Sequence, residues 1–290
     1  MHFVDAKSIL SAQNGMNVYR GCVHGCIYCD SRSRCYGFTH AFEDIEVKRN
    51  APELLEQALL RKKSKCMIGT GSMCDPYMPC EKELRVTRRC LEIIDRLGFG
   101  AAVITKSDLV LRDMDLFESI QRKAKCVVQM TLTTADDALC RILEPNVCPT
   151  SRRAEVLYTL RDHGIPTVAW LSPFLPFIND TEENLRSLMD ICIKAQVRSV
   201  VCFGIGVTLR EGDREYFYQA LDRHFPGLKK RYCDTYGNAY EVPSPHNDRL
   251  MGILRDTCEA QGILWKPRDV FDYLRELPKK EDYEQLSLFD

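Results

Sequence analysis

Cys22-Val23-His24-Gly25-Cys26-Ile27-Tyr28-Cys29 sets three thiols in a C-x3-C-x2-C spacing, short enough for one tight loop to aim all of them at a common centre. Soft thiolates so placed suit three irons of a [4Fe–4S] cubane, whose fourth iron then has no protein ligand and stays open. Gly21 and Gly25 permit the backbone turns that such a loop needs. The competing arrangement is a structural zinc site with Cys35 as fourth ligand. His24 fits loop packing better than ligation.

Strands and helices must position that loop. Short β-branched and apolar runs recur at 16–20, 66–69, 101–105, 126–132, 166–171 and 199–203, and amphipathic helical patterns fall between them at 52–61, 81–97, 113–123, 152–163 and 182–195. The alternation predicts βαβ units and a parallel sheet, an α/β partial (β/α)6 barrel with its chemistry at the carboxyl ends of the strands. After Gly204 the rhythm changes to a basic, aromatic stretch, then Pro243-Ser244-Pro245, then two further helical patterns. The expected organisation is a barrel over 1–205, a small C-terminal extension over 206–280 packed on it, and a flexible tail over 281–290.

The 290 residues, 45 % of them hydrophobic, exclude disordered and fibrous classes. A formal net charge of -1 leaves no global field toward nucleic acid or an anionic membrane, so any polyanion site must be local. With neither a signal-peptide pattern at the start nor an apolar run of about 18 residues, the expectation is a cytoplasmic protein without a membrane partner. In a reducing compartment the 15 cysteines do not imply disulfides, and Cys66, Cys126, Cys192 and Cys202 in apolar runs are expected as core residues.

The cysteine loop, with an aromatic residue before its third cysteine, resembles that of the radical S-adenosylmethionine (SAM) superfamily. Asn17-Val18-Tyr19-Arg20-Gly21-Cys22, Gly69-Thr70-Gly71-Ser72-Met73-Cys74-Asp75-Pro76-Tyr77, Thr105-Lys106-Ser107, Leu143-Glu144-Pro145 and Tyr236-Gly237-Asn238 together resemble its spore photoproduct lyase-like branch. The resemblance implies a [4Fe–4S] cluster on Cys22, Cys26 and Cys29, SAM on the open iron, and a 5′-deoxyadenosyl radical that takes hydrogen from a substrate. It implies an electron donor such as flavodoxin or ferredoxin. Tyr28 would lie by the adenine, Gly71, Ser72, Cys74 and Asp75 would meet the SAM amino group, and Lys106 the carboxylate or ribose, unless Lys106 is only a solvated loop lysine. Thr131 and Thr133 are candidates for the ribose hydroxyls or for strand packing. Glu144 and Arg153 are either a SAM-binding pair or an ion pair at a helix start. The cysteine that such lyases carry near the second-strand loop falls closest to Ser72 here. Cys74, and less so Cys80, are then the candidates for radical relay.

The chain ends Gln285-Leu286-Ser287-Leu288-Phe289-Asp290, which resembles the pentapeptide by which bacterial polymerases and repair proteins bind the DNA sliding clamp. Leu286, Leu288 and Phe289 would fill apolar pockets, with the Gln285 amide setting register and Ser287 between them; the alternative is a segment tucked against its own domain. Together these signals point to reductive SAM cleavage directed at nucleic acid, a DNA lesion above all. RNA, a peptide, a small metabolite, or a non-catalytic clamp-associated adaptor are the rival readings.

Overall fold

The computed structural model describes residues 1–278. A small sheet in the order β1-β4-β3 is built from β1 (His2–Val4), β3 (Tyr19–Arg20) and β4 (Glu46–Lys48). The main sheet runs β2-β5-β6-β7-β8-β9, from β2 (Gly15–Met16) through β5 (Met67–Thr70), β6 (Gly100–Thr105), β7 (Cys126–Thr131) and β8 (Thr167–Trp170) to β9 (Ser199–Val201). Every pairing in it is parallel. Parallel strands need crossovers, supplied by α1 (Ala51–Leu60), α2 (Glu81–Leu84), α3 (Val86–Arg96), α4 (Met114–Lys123), α5 (Asp137–Leu143), α6 (Thr150–Asp162) and α7 (Glu182–Lys194). β2 and β9 remain edges, so the six parallel strands form the expected partial barrel. Leu264 covers part of the β9 edge, accepting from Val200 N at 2.8 Å.

Burial explains the strand sequences: all six residues of β7 are buried because the lumen lies on one side and helices on the other, so an apolar run replaces alternation. In α3, Val86, Cys90, Leu91, Ile93 and Ile94 are buried at helical spacing, while its charged residues face out or pair. Beyond the barrel lie β10 (Gly206–Thr208), α8 (Asp213–His224), α9 (Leu228–Tyr236), β11 (Glu241–Pro243), α10 (Asn247–Gln261) and α11 (Pro267–Arg275), with β10 and β11 antiparallel. Val270 and Leu274 of α11 pack against Met67, Ala102, Val127, Val168 and Val201, one residue from each of five barrel strands, and floor the lumen.

Three expectations need correction. The run 16–20 is no single strand: Lys48 N donates to the Val18 carbonyl at 3.1 Å, and the chain passes there from the main sheet to the small one. The helix expected over 81–97 breaks at Arg85, which has φ +51. There the buried Glu81 carboxylate accepts from Thr87 N (3.1 Å) and Arg88 N (3.3 Å), capping the start of α3 in place of a continuing helix. Cys126, Cys192 and Cys202 are buried, but Cys66 is only half-buried.

Candidate active site

The cysteine loop is pinned on two sides. Gly21 has φ +85, and a Cβ there would meet the Phe42 carbonyl oxygen at 2.4 Å; the next amide, Cys22 N, donates to that same oxygen at 3.1 Å. On the other side Ile27 N donates to the Leu143 carbonyl (3.0 Å), Asn146 N to the His24 carbonyl (3.1 Å) and Asn146 Nδ2 to the Val23 carbonyl (2.8 Å). The Leu143-Glu144-Pro145 phrase therefore straps the loop. Burial pushes the Cys22 thiol up to about 12 and Cys26 well above its usual value, and the neighbouring Cys29 sulfur adds to both. Buried sulfurs in such a cluster need a cationic centre before they can all be thiolates.

Cys29 opens onto a cavity of about 940 Å³ at the carboxyl ends of the strands. Tyr28, Gly71, Ser72, Lys106 and Thr131 share its wall. Gly71 has φ +98, and a Cβ would fall 2.1 Å from the Ile104 carbonyl oxygen, so this turn admits no side chain. Lys106 Nζ lies 6.0 Å from the Tyr28 ring centroid. Burial acts to lower the pKa of this lysine, but the negative charge of a Cys26 thiolate and of the Glu144 carboxylate more than offsets it, holding the ammonium above its usual value.

Several candidate residues stand behind the wall. Asp75 accepts from Tyr77 N (2.8 Å), Thr105 Oγ1 (2.7 Å) and Lys106 N (2.7 Å), tying two strand ends together. His24 Nε2 lies 3.1 Å from Asp75 Oδ2, without the alignment of a hydrogen bond. Burial works to raise the Asp75 carboxyl, yet His24 and these donors hold it down at about 2. Glu144 and Arg153, both fully buried, form a 2.6 Å ion pair, and the Tyr28 hydroxyl donates to the same carboxylate. This pair orients Tyr28 from outside the cavity. Thr133 is fully buried and its carbonyl accepts from Asn179 Nδ2 at 2.7 Å. Cys74 is buried, with its thiol donating to the Tyr19 carbonyl at 2.9 Å, and neither it nor the half-buried Cys80 reaches the cavity wall. The tail residues Gln285, Leu286, Ser287, Leu288 and Phe289 lie outside the described residues.

Residues 16–192 match the sequence profile of the Radical SAM superfamily. The chain belongs to that superfamily. Its relatives include an uncharacterized protein of Methanocaldococcus jannaschii, 33 % identical over 181 residues, covering 62 % of this chain and 67 % of that protein. Another is an uncharacterized protein of Mycobacterium tuberculosis strain H37Rv, 26 % identical over 246 residues, covering 81 % of this chain and 70 % of that one. Solved structures of spore photoproduct lyase variants share the fold. One with bound AdoMet and dinucleoside spore photoproduct superposes with a TM-score of 0.61 at 12 % identity, over 86 % of this chain and 74 % of that one. Another gives a TM-score of 0.65 at 14 % identity, over 91 % and 80 % of the two chains.

Radical SAM proteins use a [4Fe–4S] cluster and SAM, and the donor set here fits that pair better than zinc. Thiolates around one zinc stand roughly 3.8 Å apart, because each Zn–S bond is about 2.3 Å. Among the described residues, only His2, His40 and Glu46 bring three such ligand atoms within 4.8 Å of one another. The three loop thiols are therefore spread wider than one ion needs. Cys35, the fourth ligand of the zinc alternative, is exposed with its sulfur 3.6 Å from Arg210 Nη1. Sequence reasoning missed Gln129, Trp170, Phe203, Phe271 and Arg275, which line the same cavity. Trp170 and Phe203 at the ends of successive strands were the available signal.

Proposed function

We propose that Cys22, Cys26 and Cys29 hold the cluster and that SAM binds between Cys29, Tyr28, Gly71, Ser72, Lys106 and Thr131. The activated cofactor then acts on a nucleic acid, most specifically a DNA lesion. The observation that carries this reading is the meeting of those six residues in one cavity of about 940 Å³, near the upper end of the roughly 300–1,000 Å³ typical of single-ligand sites. Cofactor and substrate can share that space.

When bound, the pair supplies a carbon-centred radical that removes hydrogen from an unactivated C–H bond. The chain's own residues bind and shield. Lys106 offers a point charge to a carboxylate, Tyr28 an apolar face to a purine, and Gly71 lets backbone amides approach closely. Asp75 fixes the backbone of Lys106, and the Glu144–Arg153 pair fixes Tyr28.

A DNA substrate draws support from the likeness to the spore photoproduct lyase structure that carries a dinucleoside photoproduct. It receives little from charge. Lys229 pairs with Asp222 (2.6 Å), Lys230 with Asp234 (2.5 Å) and Arg88 with Asp113 (2.9 Å), so these three cations are neutralised locally. Recruitment by the sliding clamp through Gln285, Leu286, Ser287, Leu288 and Phe289 supplies what charge does not, because tethering raises the effective concentration on DNA.

The test incubates anaerobically reconstituted full-length protein with SAM, reductant and either damaged or undamaged DNA, and measures 5′-deoxyadenosine and oligonucleotide products. Turnover that rises with one class of damaged DNA supports the reading. SAM cleavage indifferent to every DNA added, with clamp binding unchanged on deleting residues 285–290, removes it.

A further inference from the structure

The β8–β9 side of the cavity carries an aromatic wall apart from the six residues proposed above for SAM. Trp170 ends β8, Phe203 follows β9 by two residues and Phe271 projects from α11; all three line the cavity. Phe203 and Phe271 are nearly parallel, 15° apart with ring centroids separated by 6.1 Å. Trp170 meets both edge-on, at 5.9 Å and 6.3 Å. The indole is itself fixed, since Trp170 Nε1 donates to Gln129 Oε1 at 2.8 Å. Yet Phe203 is 60 % exposed. A large ring held rigid by two others while one side faces water is a stacking surface awaiting a partner, and its order is already set before any ligand arrives.

One helical turn beyond Phe271, the Arg275 guanidinium lies 5.5 Å from the Phe271 ring centroid and also lines the cavity. Its Nη2 donates to Gln13 Oε1 at 3.1 Å, and among the described residues no carboxylate pairs with it. The wall thus presents a flat apolar surface ending in a cation able to fork onto a phosphate. A nucleotide has both matching parts, a planar base and an anion beside it. SAM also carries a planar base and an anion, but its place proposed above is among Cys29, Tyr28, Gly71, Ser72, Lys106 and Thr131, none of which belongs to this wall.

We propose that Trp170, Phe203 and Phe271 form the platform on which one base of the substrate strand stacks, with Arg275 on the adjoining phosphate. This rests on the nucleic-acid reading above and names the part of the cavity that receives the strand.

The experiment measures binding of a fluorescein-labelled single-stranded thymidine decamer to the reconstituted full-length protein by anisotropy, over a series of salt concentrations. SAM affinity is measured in parallel by equilibrium dialysis. Phe203→Ala should weaken decamer binding by about 5- to 100-fold with the salt dependence unchanged, as loss of one stacked base implies, and Phe203→Trp should restore it. Arg275→Gln should weaken binding and lower the slope of log affinity against log salt by about 0.7, the share of one phosphate on a single strand. Circular dichroism checks that each variant is folded; since Phe203 and Arg275 are both exposed, the fold should persist. Wild-type binding of the decamer with both variants unaffected overturns the platform and leaves the nucleic-acid reading standing. A loss of SAM affinity in Phe203→Ala as large as the loss of decamer affinity also overturns it, assigning the wall to the cofactor. If the wild-type protein binds the decamer no better than a peptide of equal charge, both readings fall.

Discussion

Replacing Glu144 by Met isolates what the ion pair behind the cavity does. Arg153 and Glu144 are each 0 % exposed, with Nη1 and Oε2 2.6 Å apart. In the variant the guanidinium keeps its bonds to the Cys148 carbonyl (2.9 Å) and the Thr131 carbonyl (3.0 Å) but has no counter-charge, and the Tyr28 hydroxyl loses its acceptor. A buried charge stripped of its partner costs about 3–5 kcal/mol. At roughly 2 °C per kcal/mol for a chain this long, melting should fall by about 6–10 °C. The double variant Glu144→Met with Arg153→Met fills similar volume without charge and should return to within about 1–2 kcal/mol of the wild type, giving a coupling of at least about 2 kcal/mol. Thermal unfolding of anaerobically reconstituted protein, followed by circular dichroism, measures all four corners of the cycle. A single variant that costs under about 1 kcal/mol, or two losses that simply add, would refute the claim that this pair acts as a unit.

Gly71→Ala forces a Cβ against the Ile104 carbonyl at a φ of +98 and should abolish measurable SAM binding in equilibrium dialysis while iron content stays near the wild-type value. Retained SAM affinity would count against this turn as part of the cofactor site. Lys106→Met should weaken SAM binding by about 10-fold or more with the cluster spectrum intact, the loss expected for one charge-assisted contact. Asp213, 1 % exposed, has its carboxyl pushed up to about 7 by burial, helped by Asp30 and opposed by the Arg210 amide, and one of its oxygens has no partner. Because the folded state holds this proton more tightly than the unfolded chain, stability should fall as pH rises from about 4 to about 7 and then level off, by up to about 4 kcal/mol. Asp213→Asn should therefore melt higher than the wild type at pH 8 and level with it near pH 4; an Asn variant less stable at both values overturns the sign.

Spacing alone made the cysteine loop legible, because ligands from one short segment need only local geometry to converge, and Cys22, Cys26 and Cys29 sit seven residues apart from first to last. Periodicity likewise yielded five of the six parallel strands and most crossovers, since a strand buried on both faces must read as an apolar run, as Cys126–Thr131 does. Roles that depend on distant partners were not legible. Glu144 is 116 residues from the Tyr28 hydroxyl that donates to it, and Asp75 is 31 residues from the Lys106 amide that it accepts from. Such pairs leave no periodic trace. Each residue belongs to its own local phrase in the sequence, and tertiary packing alone put them behind the cavity wall.

The same reason separates Phe203 from the aromatic residues of the core. In sequence it closes an ordinary apolar strand run; in the fold, the open edge of the barrel and the α11 floor leave its ring facing the cavity beside Phe271, 68 residues further along the chain. The sequence by itself singled out the three thiols proposed for the cluster and predicted the parallel α/β barrel, because both readings follow from residues near in the chain or from repeated patterning. Only the tertiary structure decided which side chains face the cavity and which brace it from behind, because that depends on long-range packing that residue type and spacing do not encode.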